Sequence, residues 1–162
     1  HGNCGGETAS SADVWLAGYP YLVSVKDPWC SYSASFTWRR GIPRADWNSF
    51  LVSKGITPGN EGALYKSQPG EGRIASRSAQ GRSVTSEEIR LRFGLRSAYF
   101  SLAPAGDSII VSGRGYGHGV GLCQDGAKHM AEKKQGYETI IGFYYPGTII
   151  TDIKNARRPV RP

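Results

Sequence analysis

The sequence predicts an α+β domain, built from antiparallel strands and a few short helices around a glycine-rich strand-to-helix loop. Residues 33–39 alternate between polar and apolar side chains, and 108–112 are rich in β-branched residues, which is typical of strands. Residues 122–134 carry apolar side chains at helical spacing. The chain has 162 residues, 39% of them hydrophobic, which is enough for the core of a single domain that spans 1–162.

Two strands and one helix are predicted in the first third of the chain. Residues 8–15 are small and polar and indicate a loop or short turn, whereas the aromatic and β-branched residues 19–25 indicate a strand. The half-buried strand 33–39 follows, and we expect its aromatic face to lie in the core. Asp46 is the predicted N-cap of a helix that ends at Lys54, with apolar residues at helical spacing between them.

A hairpin is predicted in the middle of the chain. Residues 73–79 and 82–85 flank Gln80-Gly81, a dipeptide that favours a tight turn between two strands. A polar loop with glycine and proline is predicted at 67–72, before the first of these strands.

A second helix is predicted to follow the hairpin directly. Ser86 is its predicted cap, and it ends at Phe93. Glu87 and Glu88 then lie near the positive end of the helix dipole, where acidic side chains are stabilising. This placement explains the two glutamates better than a catalytic role does.

Three strands and two helices are predicted in the second half of the chain. Strands 99–103 and 108–114 are expected to pair around the turn 104–107. Beyond the glycine-rich loop, two helices and a closing strand are predicted at 122–134, 137–145 and 148–153. The arginine- and proline-rich tail after Asn155 is expected to be mobile.

The charge balance narrows the range of partners. The net charge is +7 and the pI is about 9.5, and a basic surface of this kind attracts polyanions, bacterial wall polymers among them. The sequence contains no recognition-helix, zinc-finger or RNP-like pattern, so nucleic acid is not an expected partner. No apolar run approaches the roughly 20 residues of a membrane span, so none is expected in this chain.

The loop Gly113–Gly126 combines glycine, histidine, cysteine and an amide between a strand and a helix. It does not match a dinucleotide fingerprint, because His118 stands where the third glycine would be, and it lacks the Gly-Lys-Ser/Thr of a phosphate loop. What remains is a polar site on a backbone that other groups can approach closely, with His118 and Gln124 as its functional side chains. The alternative is a tight turn whose histidine only satisfies a neighbouring carbonyl group.

Three cysteines, Cys4, Cys30 and Cys123, cannot all pair within one chain. Cys4 and Cys30 lie beside turn-rich segments, which is compatible with a loop-closing disulfide in an exported protein. In a second interpretation the three cysteines converge on a metal ion with His1 or His118, although no Cys-x-x-Cys spacing is present. In a third, Cys123 at a helix start is a nucleophile and His118 is its base.

The residues from Gly113 to Lys128, Gly-Arg-Gly-Tyr-Gly-His-Gly-Val-Gly-Leu-Cys-Gln-Asp-Gly-Ala-Lys, resemble the signature of the SpoIID/LytB family. This family contains the sporulation protein SpoIID and the amidase enhancer LytB. The resemblance continues at residues 1–6, 13–15, 20–22, 91–100, 130–131 and 144–148. It therefore covers nearly the whole chain.

The resemblance to SpoIID implies a lytic transglycosylase that cleaves the glycan strands of peptidoglycan. In that reaction a glutamate protonates the glycosidic oxygen and the 6-hydroxyl group of the sugar closes an anhydro ring, so one carboxyl group serves as acid and then as base. In the family this glutamate lies in the part that precedes the segment starting here at His1. We therefore expect the chain to lack the N-terminal segment of its domain, and we transfer the catalytic role to none of its glutamates.

The resemblance to LytB implies an alternative, a non-catalytic wall-binding module that enhances an N-acetylmuramoyl-L-alanine amidase. In both cases the protein is expected to be exported to the periplasm, the cell wall or the extracellular space. Its expected partners are peptidoglycan glycan strands and, in the LytB interpretation, an amidase.

The resemblance also indicates which residues support the site. His118 and Gln124 are the predicted supporting catalytic residues. The predicted substrate-binding residues are His1, Gly5, Tyr116, Gly117, Gly119 and Gly126. No cofactor is expected, because the zinc of some family members is associated with an upstream cysteine and histidine cluster that this sequence does not match.

Overall fold

The structure is a computed structural model that describes residues 1–15, 17–66 and 73–154. Its strands are β1 (Thr37–Pro43), β2 (Ser76–Ala79), β3 (Arg82–Thr85), β4 (Phe100–Ala105) and β5 (Ser108–Arg114). Its α-helices are α1 (Ser11–Trp15), α2 (Arg44–Ser53), α3 (Ser86–Phe93), α4 (Gln124–Glu132) and α5 (Tyr137–Tyr144). The predicted α+β class is confirmed, whereas the predicted loop at 67–72 and the tail after Asn155 lie outside the described residues.

Three strands build an antiparallel sheet in the order β1–β5–β4. Ile42 of β1 lies opposite Ile109 of β5, and Leu102 of β4 lies opposite Val111 of β5. These four side chains are buried in one core cluster with α2, because alternate residues of a strand point to the same face of the sheet. The predicted pairing of the last two strands of this sheet is confirmed.

Helix α2 contributes the largest side chains of this core. Trp47, Phe50 and Leu51 lie at helical spacing and are buried, as predicted. The ring centroid of Phe93 in α3 lies 5.8 Å from that of Trp47 and 5.4 Å from that of Phe50, so aromatic contacts join the two helices.

The two N-caps predicted for α2 and α3 are wrong. Helix α2 begins at Arg44, directly after β1. Asp46 therefore lies in the first turn, where its carboxylate interacts favourably with the positive end of the helix dipole. Helix α3 is capped by Thr85 instead of Ser86. Thr85 Oγ1 accepts a hydrogen bond from Glu88 N (3.1 Å), and Thr85 N donates one to Glu88 Oε2 (2.7 Å). This reciprocal capping box explains Glu88 as a helix-start residue.

The hairpin of β2 and β3 confirms the predicted turn at Gln80-Gly81. Both turn residues have a positive φ, 54° at Gln80 and 71° at Gly81, as in the primed turns of two-residue hairpins. The first strand begins at Ser76, later than the predicted 73–79, so the hairpin is short.

Residues 19–25 do not form the predicted strand. Backbone hydrogen bonds from Thr8 N to Val25 O and from Ser11 N to Leu22 O, both 2.9 Å, hold this stretch against the N-terminal segment. The N-terminal segment turns into α1 at Ser11, so the two stretches cannot continue as a regular ladder. Aromatic and β-branched composition indicated a strand but did not reveal this missing partner.

Two further predictions differ from the structure. The strand predicted at 33–39 begins only at Thr37, because the residues before it form turns. Residues 148–153 form no strand, and no described strand pairs with them. Ile149 and Ile153 are 88% and 87% exposed there, so their β-branched side chains have no sheet face to pack against.

A second core joins α4 and α5, both of which were predicted, to the N-terminal half of the chain. Its buried members are Cys4, Cys30, Cys123, Met130, Ile140 and Tyr144. Cys123 is the N-cap of α4, so the glycine-rich loop ends inside this core. None of the helices in the described part of the chain is long and apolar enough to cross a membrane.

Candidate functional site

The N-terminal segment lies along the glycine-rich loop and fixes its path. Asn3 and Tyr116 exchange both backbone hydrogen bonds, of 2.8 and 3.2 Å. Near the end of the loop, Gln124 N donates to His1 O (3.1 Å). The loop therefore depends on residues that are more than one hundred positions earlier in the sequence.

Gly5 and Gly115 cross at a distance that excludes any side chain. A Cβ at Gly115 would lie 2.5 Å from Asn3 O, and a Cβ at Gly5 would lie 2.5 Å from the Cβ of Arg114. Both glycines also have positive φ, 77° and 73°. This packing accounts for Gly5 without a ligand, and its predicted contact with substrate stays a prediction.

His118 lies in the middle of the loop with a defined hydrogen bond. Its Nδ1 accepts from Val120 N (3.1 Å), so the proton of the neutral ring is carried by Nε2. The ring lies among aromatic neighbours, 5.5 Å from the ring of His1 and 5.5 Å from that of Trp15. Burial lowers the pKa of His118, and nearby cations, including Arg90, lower it further, so the ring is neutral at pH 7.

A cavity of about 500 Å³ opens beside His118. It is lined by residues of α1, the start of α3 and the stretch before β2, namely Ala9, Ala12, Asp13, Val14, Arg73, Ile74, Ala75, Ser76, Thr85, Ser86, Glu87, Ala98 and His118. The wall is thus largely apolar, with the carboxylates of Asp13 and Glu87 and the imidazole of His118 as its acid–base groups. Pockets with this composition are typical ligand sites.

Glu87 is the residue of this cavity that sequence reasoning missed. It was assigned to the helix start together with Glu88, and for Glu88 the capping box and the 2.7 Å bond from Lys54 Nζ bear that out. Glu87 does lie in the first turn of α3, where it pairs with Arg90 (2.6 Å), but it also lines the cavity with His118. No local pattern indicates this, because α3 and the glycine-rich loop meet only in the folded chain.

The other predicted side chains are placed around the loop instead of in this cavity. Gln124 is the first residue of α4 and is exposed, and Tyr116 is also exposed. His1 Nδ1 donates to Val120 O (3.1 Å), while the buried Nε2 of the same ring has no hydrogen-bond partner among the described residues. The structure therefore brings His1 to His118 but does not place Gln124 in the same cavity.

The remaining predicted glycines each allow a neighbour to approach the backbone. A Cβ would lie 3.1 Å from the Cβ of His1 at Gly117, 2.7 Å from Nη2 of Arg73 at Gly119, and 2.6 Å from Oδ2 of Asp27 at Gly126. The contact with Asp27 leaves no room for a side chain at Gly126, whereas Gly117 and Gly119 are favoured chiefly by their positive φ, 100° and 86°. Substrate binding by the three residues stays a prediction.

The three cysteines converge away from His118. The thiols of Cys4, Cys30 and Cys123 and a carboxylate oxygen of Asp27 all lie within 4.8 Å of one another, and all four residues are buried. The Sγ atoms of Cys4 and Cys30 are 3.3 Å apart, and Cys4 Sγ lies 3.1 Å from Asp27 Oδ2. A metal ion could be held by these four groups.

This arrangement bears on the three interpretations of the cysteines. All three cysteines are free, so the disulfide between Cys4 and Cys30 is not formed here. The fourth group of the cluster is Asp27, and neither His1 nor His118 belongs to it. Cys123 is 0% exposed, lies in the second core and accepts hydrogen bonds from two backbone N–H groups, so it cannot act as a nucleophile on a polymer with His118 as its base.

Comparison with known proteins identifies the relatives of this chain. No protein-family model matches it. The chain is 33% identical over 147 residues to "Stage II sporulation protein D" of Bacillus subtilis (strain 168), and the alignment covers 91% of this chain and 43% of that protein. It is 31% identical over 147 residues to the protein of the same name from Bacillus amyloliquefaciens, with 91% and 42% coverage.

A shorter match leads to a second protein of Bacillus subtilis (strain 168). Over 72 residues the chain is 42% identical to its "Amidase enhancer", which covers 43% of this chain and 10% of that protein. The chain spans less than half the length of these curated relatives. These similarities, together with the glycine-rich signature, relate the chain to the SpoIID/LytB family.

Proposed function

We propose that this chain is the glycan-binding part of an exported bacterial cell-wall protein that cleaves peptidoglycan strands as a lytic transglycosylase. The observation that carries this proposal is the cavity beside His118, which combines an apolar wall with Asp13, Glu87 and a neutral imidazole. The exposed ring of Trp15 next to His118 offers a flat apolar surface to the C–H face of a sugar. The similarity to proteins named for sporulation and for amidase enhancement supports a cell-wall protein, whereas the cleavage of glycan strands rests on the cavity.

The residues of this chain would bind and orient the sugar in such a reaction. The Nε2–H of His118 is available as a donor to a sugar oxygen, since Nδ1 is taken by Val120 N. A lytic transglycosylase needs one carboxyl group as acid and then base, and water is not its nucleophile, so the paired carboxylates of a hydrolase are not required. We place this acid on a segment outside these 162 residues. Glu87 is the alternative candidate, because its carboxylate lines the cavity with His118.

Purified glycan strands stripped of stem peptides test the proposal. We expect the chain to bind them and to release no anhydro-muropeptides by mass spectrometry, while a longer protein with the preceding segment releases them. Trp15→Ala should weaken binding by up to about tenfold, whereas Tyr137→Ala, an exposed aromatic on α5, should not. The absence of any binding to stripped strands would contradict the proposal.

The assignment of the acid is tested separately. Glu87→Gln in the longer protein should leave anhydro products detectable, with Glu132→Gln on the outer surface of α4 as the matched control. Anhydro products from the 162-residue chain that disappear in Glu87→Gln would instead identify Glu87 as the acid.

A second candidate function rests on the match to the amidase enhancer. In that case the chain binds the wall and stimulates an N-acetylmuramoyl-L-alanine amidase without cleaving glycan strands. The two functions differ in product, because amidase stimulation releases stem peptides from intact strands and transglycosylation releases anhydro sugars. Incubation of whole walls with an amidase, with and without the chain, separates them.

A further inference from the structure

We propose that Cys4, Asp27, Cys30 and Cys123 bind a structural zinc ion. The four ligand atoms come from three segments that are distant in sequence: the N-terminal segment, the 3-10 turn Pro28–Cys30 with its N-cap, and the start of α4. They lie within 4.8 Å of one another. In a tetrahedral site with Zn–S bonds of about 2.3 Å, neighbouring sulfur atoms are about 3.8 Å apart, so the separations between the four atoms need to change by no more than about 1 Å.

The chemistry of the ligands selects the metal. Three thiols and one carboxylate form a soft set that favours zinc over calcium or magnesium, which prefer oxygen ligands. Cys4, Cys30 and Cys123 are 0% exposed and Asp27 is 1% exposed, so no position is open to water or substrate. A closed, four-ligand arrangement is typical of structural zinc sites, whereas catalytic sites keep one position open.

Further contacts hold the ligands in place. The backbone N–H groups of Cys4 and Gly126 donate to Cys123 Sγ at 3.3 and 3.4 Å. Tyr144 Oη donates to Asp27 Oδ2 (2.9 Å), and a backbone amide donates to Oδ1 of the same carboxylate. Hydrogen bonds of this kind orient metal ligands and offset negative charge on sulfur and oxygen. Gly126 is required because Tyr144 and Asp27 occupy the space of its Cβ.

A half-buried cation, Arg73, lies beside the cluster. Three thiolates and a carboxylate around a divalent ion leave a net negative charge, which is costly in a buried site. The guanidinium group of Arg73 donates through Nη2 to Cys4 O (2.6 Å), and so it brings a permanent positive charge to the ligand segment. The charge balance of the site is improved by this contact.

A disulfide explains the cluster less well than a metal ion does. The Sγ atoms of Cys4 and Cys30 are close enough to form one after a small movement, but this bond needs only two thiols. It gives no reason for the third thiol, Cys123, and a carboxylate, Asp27, to be buried at the same point. A zinc ion uses all four groups.

Metal content and ligand identity test the proposal directly. We expect protein purified under reducing conditions to contain about one zinc per chain by native mass spectrometry and elemental analysis, and chelation at neutral pH to lower its melting temperature reversibly. Cys30→Ser and Cys123→Ser should lose at least about half of the zinc. His118→Ala should retain it fully, because His118 is not a ligand.

Two measurements keep the test decisive if a cysteine variant fails to fold. Asp27→Cys, which exchanges one ligand for another, should retain zinc, while Asp27→Ala should bind it more weakly. Replacement of zinc by Co²⁺ should give thiolate-to-cobalt charge-transfer bands and tetrahedral d–d bands. Metal-free protein with a Cys4–Cys30 disulfide, or zinc content that is unchanged in Cys123→Ser and Asp27→Ala, would overturn the proposal. These outcomes are independent of glycan binding.

Discussion

Replacement of Gly115 by alanine is expected to lower the free energy of unfolding by about 3 kcal/mol, from two contributions. The left-handed conformation at Gly115, with a φ of 77°, costs alanine about 1 kcal/mol. The new Cβ would also lie 2.5 Å from Asn3 O, so the N-terminal segment must move away from the loop. This movement breaks the two backbone hydrogen bonds between Asn3 and Tyr116, each worth about 1 kcal/mol net.

Gly106→Ala is the matched control for this measurement. Gly106 also has a positive φ, 54°, but a Cβ there meets nothing within 4 Å, so only the conformational cost of about 1 kcal/mol applies. Urea unfolding of both variants should show lowered midpoints with an unchanged m-value. If the two variants are destabilised equally, the close crossing of the N-terminal segment and the loop does not contribute to stability, and the reasoning fails.

Three further outcomes are expected. His118→Ala in the longer protein should reduce turnover about tenfold or more with little change in melting temperature. Gln124 is exposed outside the cavity, so Gln124→Ala should change turnover less than about threefold. Because burial lowers the pKa of His118, the unfolded chain takes up this proton first as the pH falls. The stability from the neutral ring is therefore complete above about pH 6.5 and declines below it, and urea midpoints on both sides of this pH should show a weaker decline in His118→Gln. Thr85→Ala should cost about 1 kcal/mol of unfolding free energy because it removes the cap of α3.

The elements that could be predicted are those whose signals are local. Gln80-Gly81 specifies its own turn, and the spacing of Trp47, Phe50 and Leu51 specifies the buried face of α2 within a few residues. The predictions of strands at 19–25 and 148–153 were wrong because the signal that decides them is not local. Their composition favours extended backbone, but a strand also needs a partner with free donors and acceptors, and that information lies elsewhere in the chain.

The residues of the candidate site also differ in whether a local pattern indicates them. His118 could be selected from its motif, and the glycine-rich loop predicted that other groups approach the backbone closely. Glu87 and Asp27 could not be selected, because each looks like an ordinary cap or helix-start acid in its own segment. Asp27 does precede Cys30 by three residues, a spacing that brings both side chains to one side of a 3-10 turn. That spacing is the only local signal for the fourth member of the cluster.

The structure separates two residues that sequence proximity suggested to be a pair. His118 and Cys123 are five positions apart, yet His118 lies at a cavity wall while Cys123 lies in a closed core. The N-terminal segment joins these places, because Cys4 enters the cluster, Gly5 crosses the loop and His1 lies beside His118. A metal ion on Cys4 and Cys123 would therefore clamp both the start of the chain and the end of the loop. The position of His118 would then depend in part on a site that it does not touch, together with the hydrogen bond from Ala9 N to Gly119 O (2.8 Å) that holds the middle of the loop.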